Sequence, residues 1–254
     1  MRFLHCADLH IGSGGTEAGA ACLRILAQAA IDTQVDAVLI AGDLFDRSVS
    51  SREARNAVEN ALACLYSARI PVYCVCGNHD FCGQGSECLL ELQNQLLLHL
   101  LQPEMDDTDR VGIRAYNGQT GCVAIADGVR IVGLGYLGDQ TRERLVSVSK
   151  QLVPYEGFTT VMLHTGVYIG FLPVGGITRQ DLRPFDGLVE YFALGHRHAR
   201  EEHGNAYNPG SPCGTRMIDS KQEHGYYIVD VRGKDFSSVF MPAAESDKYP
   251  GKYT

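Results

Sequence analysis

Three apolar runs of strand length, residues 2–7, 37–41 and 72–76, punctuate the first hundred positions, and each ends in a polar or glycine-rich turn. Between them the apolar positions change period. Cys22, Leu23, Leu26, Ala27, Ala30 and Ile31 recur at helical spacing, as do Ala54, Val58, Ala61, Leu62 and Leu65. A third helix is predicted from Ser86 to about His99. Such alternation implies right-handed strand–helix–strand crossovers and a parallel sheet covered on both faces. The middle of the chain reads differently. Residues 122–126 and 129–134 flank Asp127-Gly128, the chemistry of a tight hairpin. A helix is predicted over 139–152, strands at 159–163 and 189–194, and two last short strands at 226–231 and 237–241. Residues 243–254 turn polar, which predicts a tail after one domain of residues 1–242.

Composition narrows the class. The 254 residues are 45% hydrophobic and 20% charged, the ordinary globular range, which excludes a disordered chain. No apolar run approaches the ~20 residues that span a bilayer. The greasiest, from Leu96 to Leu101, is interrupted by His99. No secretory leader is expected, because a strand opens at Arg2 and reaches Asp8 before a hydrophobic region forms, so a cytoplasmic protein is expected. Nine cysteines at irregular spacings read as reduced, packed thiols. The formal charge of −8 lacks the basic field on which most nucleic-acid binders rely, so the nine histidines become the more informative residues.

The residues after each strand carry the chemistry. The first run delivers Asp8-Leu9-His10, the second Gly42-Asp43-Leu44-Phe45-Asp46-Arg47, and the third Gly77-Asn78-His79-Asp80. Later runs end in Leu163-His164-Thr165-Gly166 and in Leu194-Gly195-His196-Arg197-His198. Oxygen and imidazole donors therefore sit at carboxyl ends of strands, where open α/β sheets place their sites. One such aspartate is usually a cap or a turn residue. Five successive clusters are different: Asp8, His10, Asp43, Asn78, His164, His196 and His198 form a mixed N/O donor set suited to two divalent cations of the manganese, iron or zinc kind. Asp43, central in the order, is the natural shared ligand. His5, His99, His203 and His224 read as ordinary core or surface histidines.

These blocks, in this order over residues 8 to 198, resemble the calcineurin-like metallophosphoesterases. Within that superfamily, the stretches 3–12, 39–46 and 193–198 with 207–211 look closest to SbcD-type nuclease subunits of DNA-repair complexes. The resemblance implies an α/β (α+β sandwich) fold, with central mixed β-sheets flanked by helices and a dimetal site at the C-terminal ends of strands. It implies one metal held by Asp8, His10, Asp43 and His198, and a second held by Asp43, Asn78, His164 and His196. The metals would be manganese first, with iron or zinc as alternatives. His79 matches the family's catalytic histidine, Asp46 a carboxylate that orients it, and Arg47 a phosphate-binding arginine, with Ser48 where related phosphatases have glycine. The implied reaction is hydrolysis of phosphodiester bonds by a metal-bridging hydroxide. The implied partners are a DNA or nucleotide substrate, an SbcC-like ATPase and a second copy of the chain, with no membrane.

The residues support three readings, in order: an SbcD-like DNA exonuclease or phosphodiesterase, a stand-alone phosphoesterase acting on nucleotides or other small phosphate esters, and a non-catalytic scaffold. SbcD-type subunits usually continue into a DNA-capping domain, whereas this sequence stops soon after the motifs, which keeps the second reading open. The intact donor set counts against the third. Three further features have two readings each. Gly133–Gly138 satisfies G-x-G-x-x-G but follows the second arm of a hairpin, so close backbone approach at the sheet edge is expected rather than dinucleotide binding. Arg179, Arg183, Arg197, Arg200 and Arg216, near the late motifs, suit either phosphodiester oxygens or surface ion pairs. The loop 165–180, with Tyr168, Phe171 and Pro173, either stacks a base or covers the sheet.

Overall fold

A computed structural model describes residues 1–12, 16–80, 86–106, 110–213 and 223–243. The first alternating unit runs β1 (Arg2–Cys6), α1 (Thr16–Asp32), β2 (Ala37–Ile40), α2 (Arg52–Ser67), β3 (Val72–Cys74), α3 (Glu87–Asn94) and β4 (His99–Leu100). A two-stranded ribbon, β5 (Glu104–Met105) and β6 (Val111–Gly112), precedes the hairpin β7 (Val123–Ala126) and β8 (Val129–Gly135). Then come α4 (Thr141–Ser149), β9 (Phe158–His164), α5 (Arg179–Leu182) and β10 (Tyr191–Gly195). The order closes with β11 (Glu201–His203), β12 (Ala206–Asn208), β13 (Gly225–Arg232) and β14 (Asp235–Pro242).

Two six-stranded mixed sheets result, ordered β14-β13-β1-β2-β3-β4 and β11-β12-β10-β9-β8-β7. The alternating unit forms parallel pairs from β1 to β4, as its pattern requires, while β13 adds antiparallel to β1. Strand residues sort by period two. Leu4, Val38, Ile40 and Cys74 pack under α1, α2 and α3, whereas Phe3, Leu39, Tyr73 and Val75 face the second sheet. The second sheet sends Val132, Val161, Leu163 and Phe192 outward to Leu145, Val148, Leu182 and Phe185 of the helical layer around α4 and α5. The layers are thus helix, sheet, sheet, helix. Both faces of the first sheet are covered, one of them by the other sheet.

Two sequence expectations are corrected. The third helix ends at Asn94, and His99 lies on β4. Leu96 takes a left-handed φ of 62° and the Leu97 N–H donates to the Leu92 carbonyl, closing the helix. Beyond it, Leu98 and Leu100 enter the helix-side core and Leu101 the inter-sheet core, so one leucine run serves two layers. Two glycines of the G-x-G-x-x-G stretch, Gly133 and Gly135, allow close approach at the seam between sheets, not at a sheet edge. A Cβ on Gly133 would stand 2.3 Å from the Leu101 Cβ.

Among the described residues, no helix is long and apolar enough to cross a membrane. Eight cysteines are free thiols, and all but Cys64 are buried. Cys82, Arg216 and residues 244–254 of the expected tail lie outside the described residues.

Candidate metal centre

Hydrogen bonds across the seam bring the strand ends of the two sheets together. The His164 Nδ1–H donates to the Ala41 carbonyl at 2.8 Å, joining the end of β9 to that of β2. The His196 N–H donates to both Asp8 oxygens at 3.0 Å, and the Tyr136 N–H to the Cys76 carbonyl at 2.9 Å. The backbone turns sharply to achieve this. Eight described non-glycine residues have positive φ, and four of them are Asp8 (57°), His10 (46°), Asp43 (51°) and His196 (81°). Such conformations cost of order 1–3 kcal/mol each and persist only where surrounding structure over-determines them. Gly42 and Gly77 leave the room: a Cβ on Gly42 would lie 2.3 Å from His164 Nδ1, and one on Gly77 2.0 Å from Asp43 Oδ1.

All seven sequence-predicted donors converge. The Nε2 atoms of His10 and His198 are 3.0 Å apart, and His10 Nε2 is 3.6 Å from Asp43 Oδ2 and 3.9 Å from Asp8 Oδ1. His164 Nε2 is 3.2 Å from both Asp43 Oδ2 and Asn78 Oδ1, and His196 Nδ1 is 2.9 Å from the same amide oxygen. Asp8, His10 and His198 form one donor group within 4.8 Å, and Asp8, Asp43 and His164 another.

The donor chemistry fits divalent cations. Because His164 Nδ1 gives its proton to the Ala41 carbonyl, a neutral ring presents a bare Nε2 lone pair. That lone pair faces a carboxylate oxygen and an amide oxygen, both acceptors. Either a metal ion or a proton on Nε2 resolves the three. In the metal-free chain a proton serves: burial opposes charge on His164, but Asp43, Asp8 and the Ala41 hydrogen bond together outweigh it and raise the imidazole to about 9. Burial lowers His10 to about 3 and His196 to about 4, keeping both rings neutral and able to ligate. Burial raises the Asp8 carboxyl, with Asp43 adding to the rise, whereas the histidines hold Asp43 well below the usual carboxylate range against its own burial.

The other predicted residues lie around this group. His79 is 30% exposed, against 0–3% for the side chains of Asp8, His10, Asp43 and His164, so of these it alone is open to an incoming molecule. Its N–H donates to Asp43 Oδ1 at 2.8 Å. The Asp46 contact differs in kind from the expectation. The carbonyl oxygen of Asp46 accepts from His79 Nδ1 at 2.9 Å, while its carboxylate stands 3.5 Å from Nδ1 of both His79 and His10. Arg47 is exposed, and its carbonyl accepts from Ser50 Oγ at 3.3 Å. Arg197 and Arg200 take the ion-pair reading: Arg197 meets Glu201 at 2.7 Å, and Arg200 meets Glu202 and Glu223 at 2.8 Å.

Three supporting residues lie in blocks that the sequence singled out, without a role assigned to them there. Asp80 is fully buried and accepts from the N–H groups of Leu44, Phe45 and Gly77, pinning the second motif turn to the third. Ser211 Oγ donates to the Asp8 carbonyl at 2.8 Å, and Asn208 Nδ2 to the Arg197 carbonyl at 2.9 Å. Asp80 closes the Gly-Asn-His-Asp block, which was a visible signal. The other two act through backbone carbonyls more than ten residues away, and no local pattern marks that.

A model of the calcineurin-like phosphoesterase family matches residues 1–200. The chain is 41% identical to the SbcD component of the SbcCD nuclease of Rhodobacter capsulatus, covering 92% of this chain and 67% of that protein. It is 28% identical to the metallophosphoesterase YhaO of Bacillus subtilis and 30% identical to the DNA double-strand break repair protein Mre11 of Archaeoglobus fulgidus. The matched region spans 60% and 46% of those two proteins, and 96% and 78% of this chain. Among solved structures, a dimetal phosphatase from Danio rerio superposes with a TM-score of 0.61 at 14% identity, covering 96% of this chain and 97% of that one.

Proposed function

Since the chain belongs to the calcineurin-like phosphoesterase family, we propose that it is an SbcD-like nuclease that hydrolyses DNA phosphodiester bonds with two divalent metal ions. The observation that carries the metal reading is the convergence of seven N/O donors from five strand ends, with Asp8, His10 and His198 in one group within 4.8 Å and Asp8, Asp43 and His164 in another. The similarity to the SbcD component of the SbcCD nuclease over 92% of the chain supports DNA as the substrate. We take residues 1–242 as the catalytic domain, because β14 ends at Pro242 paired with Gly225 of β13.

Asp8, His10, Asp43 and His198 would hold one ion, and Asp43, Asn78, His164 and His196 the other, with manganese as the first choice. Bound there, the ions supply Lewis-acid activation of water and positive charge for the phosphoryl oxygens. The chain's own groups do the rest. Buried, strained turns hold the donors in place before substrate arrives, so little reorganisation is needed. His79 is turned by the Asp46 carbonyl and reaches the open side, where it contacts a phosphoryl oxygen or gives a proton to the departing alkoxide. Such proton transfer contributes about 10²–10⁴-fold. Arg47, exposed and next to Asp46 in sequence, would meet a further phosphate oxygen. An SbcC-like ATPase and a second copy of the chain are the partners this reading brings with it.

A substrate panel with manganese tests the proposal: linear DNA, bis-p-nitrophenyl phosphate, p-nitrophenyl phosphate and cyclic nucleotides. Cleavage of linear DNA and the diester is expected, lost on chelation. Turnover of the phosphomonoester or of a small nucleotide with no action on DNA overturns the nuclease reading. The His79→Ala variant should lose about 10²–10⁴-fold in turnover while still binding two manganese ions per chain. Loss of both ions in that variant contradicts its role.

A further inference from the structure

Between β9 and α5 the chain forms a tongue whose root is fixed and whose tip is bare. Val167 and Ile177 bridge at its base, the Tyr168 N–H donates to the Ile177 carbonyl at 2.8 Å, and Thr165 Oγ1 donates to the Gly175 carbonyl at 2.9 Å. The root abuts the metal centre. It leaves directly from His164, and the Tyr168 ring lies 5.0 Å beneath the guanidinium of Arg197, the residue between His196 and His198. The tip carries Ile169, Phe171 and Val174 at 87%, 86% and 79% exposure, the three most exposed large apolar side chains among the described residues.

The sequence left this loop two roles, covering the sheet or stacking a base: the root takes the first, with Val167 and Ile177 buried in the core against the second sheet, and the exposed tip is left for the second. Water-exposed apolar surface costs roughly 25 cal/mol per Å², so three such side chains on one anchored turn point to an occupant. Charge narrows what that occupant is. Residues 165–178 include no acidic or basic side chain, so nothing on the tongue repels a phosphate backbone, and Arg179 follows directly. By chain length alone, seven residues place Phe171 within about 25 Å of His164, the reach of a few nucleotides. A strand with its scissile phosphate at the metal donors has unstacked bases beside it, and every base offers a face to an aromatic ring.

We propose that this tongue is a base-stacking clamp for single-stranded DNA entering the cleft, with Phe171 as the ring on which a base stacks. The proposal rests on the nuclease reading and adds the feature that selects the strand.

The test compares wild type, Phe171→Ala and Phe171→Trp with manganese. The substrates are a single-stranded oligodeoxynucleotide, the same oligonucleotide with abasic residues around the cleavage position, and bis-p-nitrophenyl phosphate. In Phe171→Ala the KM for the oligonucleotide should rise about tenfold relative to that for the small diester. The tryptophan variant should restore it, and on the abasic substrate the variants should converge. An unchanged KM ratio overturns the clamp, as does an effect that persists on abasic DNA. Loss of binding to phosphatidylglycerol vesicles in Phe171→Ala, with oligonucleotide KM unchanged, would assign the tip to a membrane and overturn it too. A wild type that cleaves the diester but no oligonucleotide fells the nuclease reading and the clamp together. Oligonucleotide cleavage indifferent to Phe171 fells the clamp alone.

Discussion

His5 and His164 are both fully buried, on β1 and β9 of the facing sheets, yet they do opposite things with the same ring. His5 sits in the inter-sheet core, stacked near Tyr227 and edge-on to Tyr191, and both nitrogens are satisfied within the protein: Nδ1 lies 2.9 Å from the Tyr191 hydroxyl and Nε2 3.0 Å from the Leu194 carbonyl. One ring proton and one hydroxyl proton complete that arrangement, so burial lowers the imidazole to about 3 and the ring stays neutral. His164, at the rim, has one nitrogen satisfied and the other aimed at oxygens that cannot donate. Burial is therefore uninformative by itself. The two rings differ in whether the second nitrogen of the neutral ring meets a protein group that completes it.

The strongest challenge to this contrast lies at the metal centre. His164→Ala should retain its fold but lose about 10³-fold or more in manganese-dependent diester hydrolysis, several kcal/mol of charge stabilisation, and bind fewer than two ions per chain by calorimetry. Retained activity would reduce His164 to a packing residue like His5.

The inverse holds for His5→Ala. It deletes a packed ring and strands the Tyr191 hydroxyl and the Leu194 carbonyl, at a cost of about 3 kcal/mol, or roughly 6–12 °C in Tm for a chain of this size. Turnover of the folded fraction should be preserved. A specific loss of kcat would show that the seam is not separable from the site.

The two histidines also carry opposite pH signatures. The unfolded His5 ring binds a proton below 6.5 and the folded one only near 3, so its contribution to stability is complete above pH 6.5 and is lost as pH falls toward 3. His5→Gln, which can keep both hydrogen bonds, should lose about 2 kcal/mol less stability than wild type between pH 7 and 4.5, read as urea midpoints. Parallel curves would overturn the assignment. His164, raised to about 9, contributes most below pH 6.5 and loses that contribution as pH climbs through its folded value. In the proposed reading, a divalent ion would compete for the position of that proton.

The smallest effect tests the boundary of the centre. The carbonyl of Asp46, not its carboxylate, lies within hydrogen-bonding distance of His79. Asp46→Ala should therefore lower kcat by less than about tenfold, in the range of an outlying support rather than a ligand. A loss matching that of His79→Ala would mean that the carboxylate closes the 3.5 Å gap when substrate binds.

The alternation of strands and helices, the hairpin at Asp127-Gly128 and the placement of donors at five strand ends were legible because each is written in local period or local chemistry. Period two sent alternate residues of β1 to β3 to opposite cores, and residues 2–7, 37–41 and 72–76 showed it as continuous apolar runs. The leucines after Asn94 misled for the same reason: an apolar run reads alike whether it continues a helix or feeds two layers of a sandwich, and only the vacant edge of β3 selected β4.

Identity and order of the donors came from the sequence. Which of the buried polar groups are complete came from the fold. Hydrogen bonds satisfy His5 across 186 and 189 residues of chain, and hold Asp8 across 188 and 203. No window along the chain contains both ends of such a bond. Tertiary structure alone decides which nitrogen is left facing an oxygen with no proton to share, and that decision separates the core of this protein from its candidate metal centre.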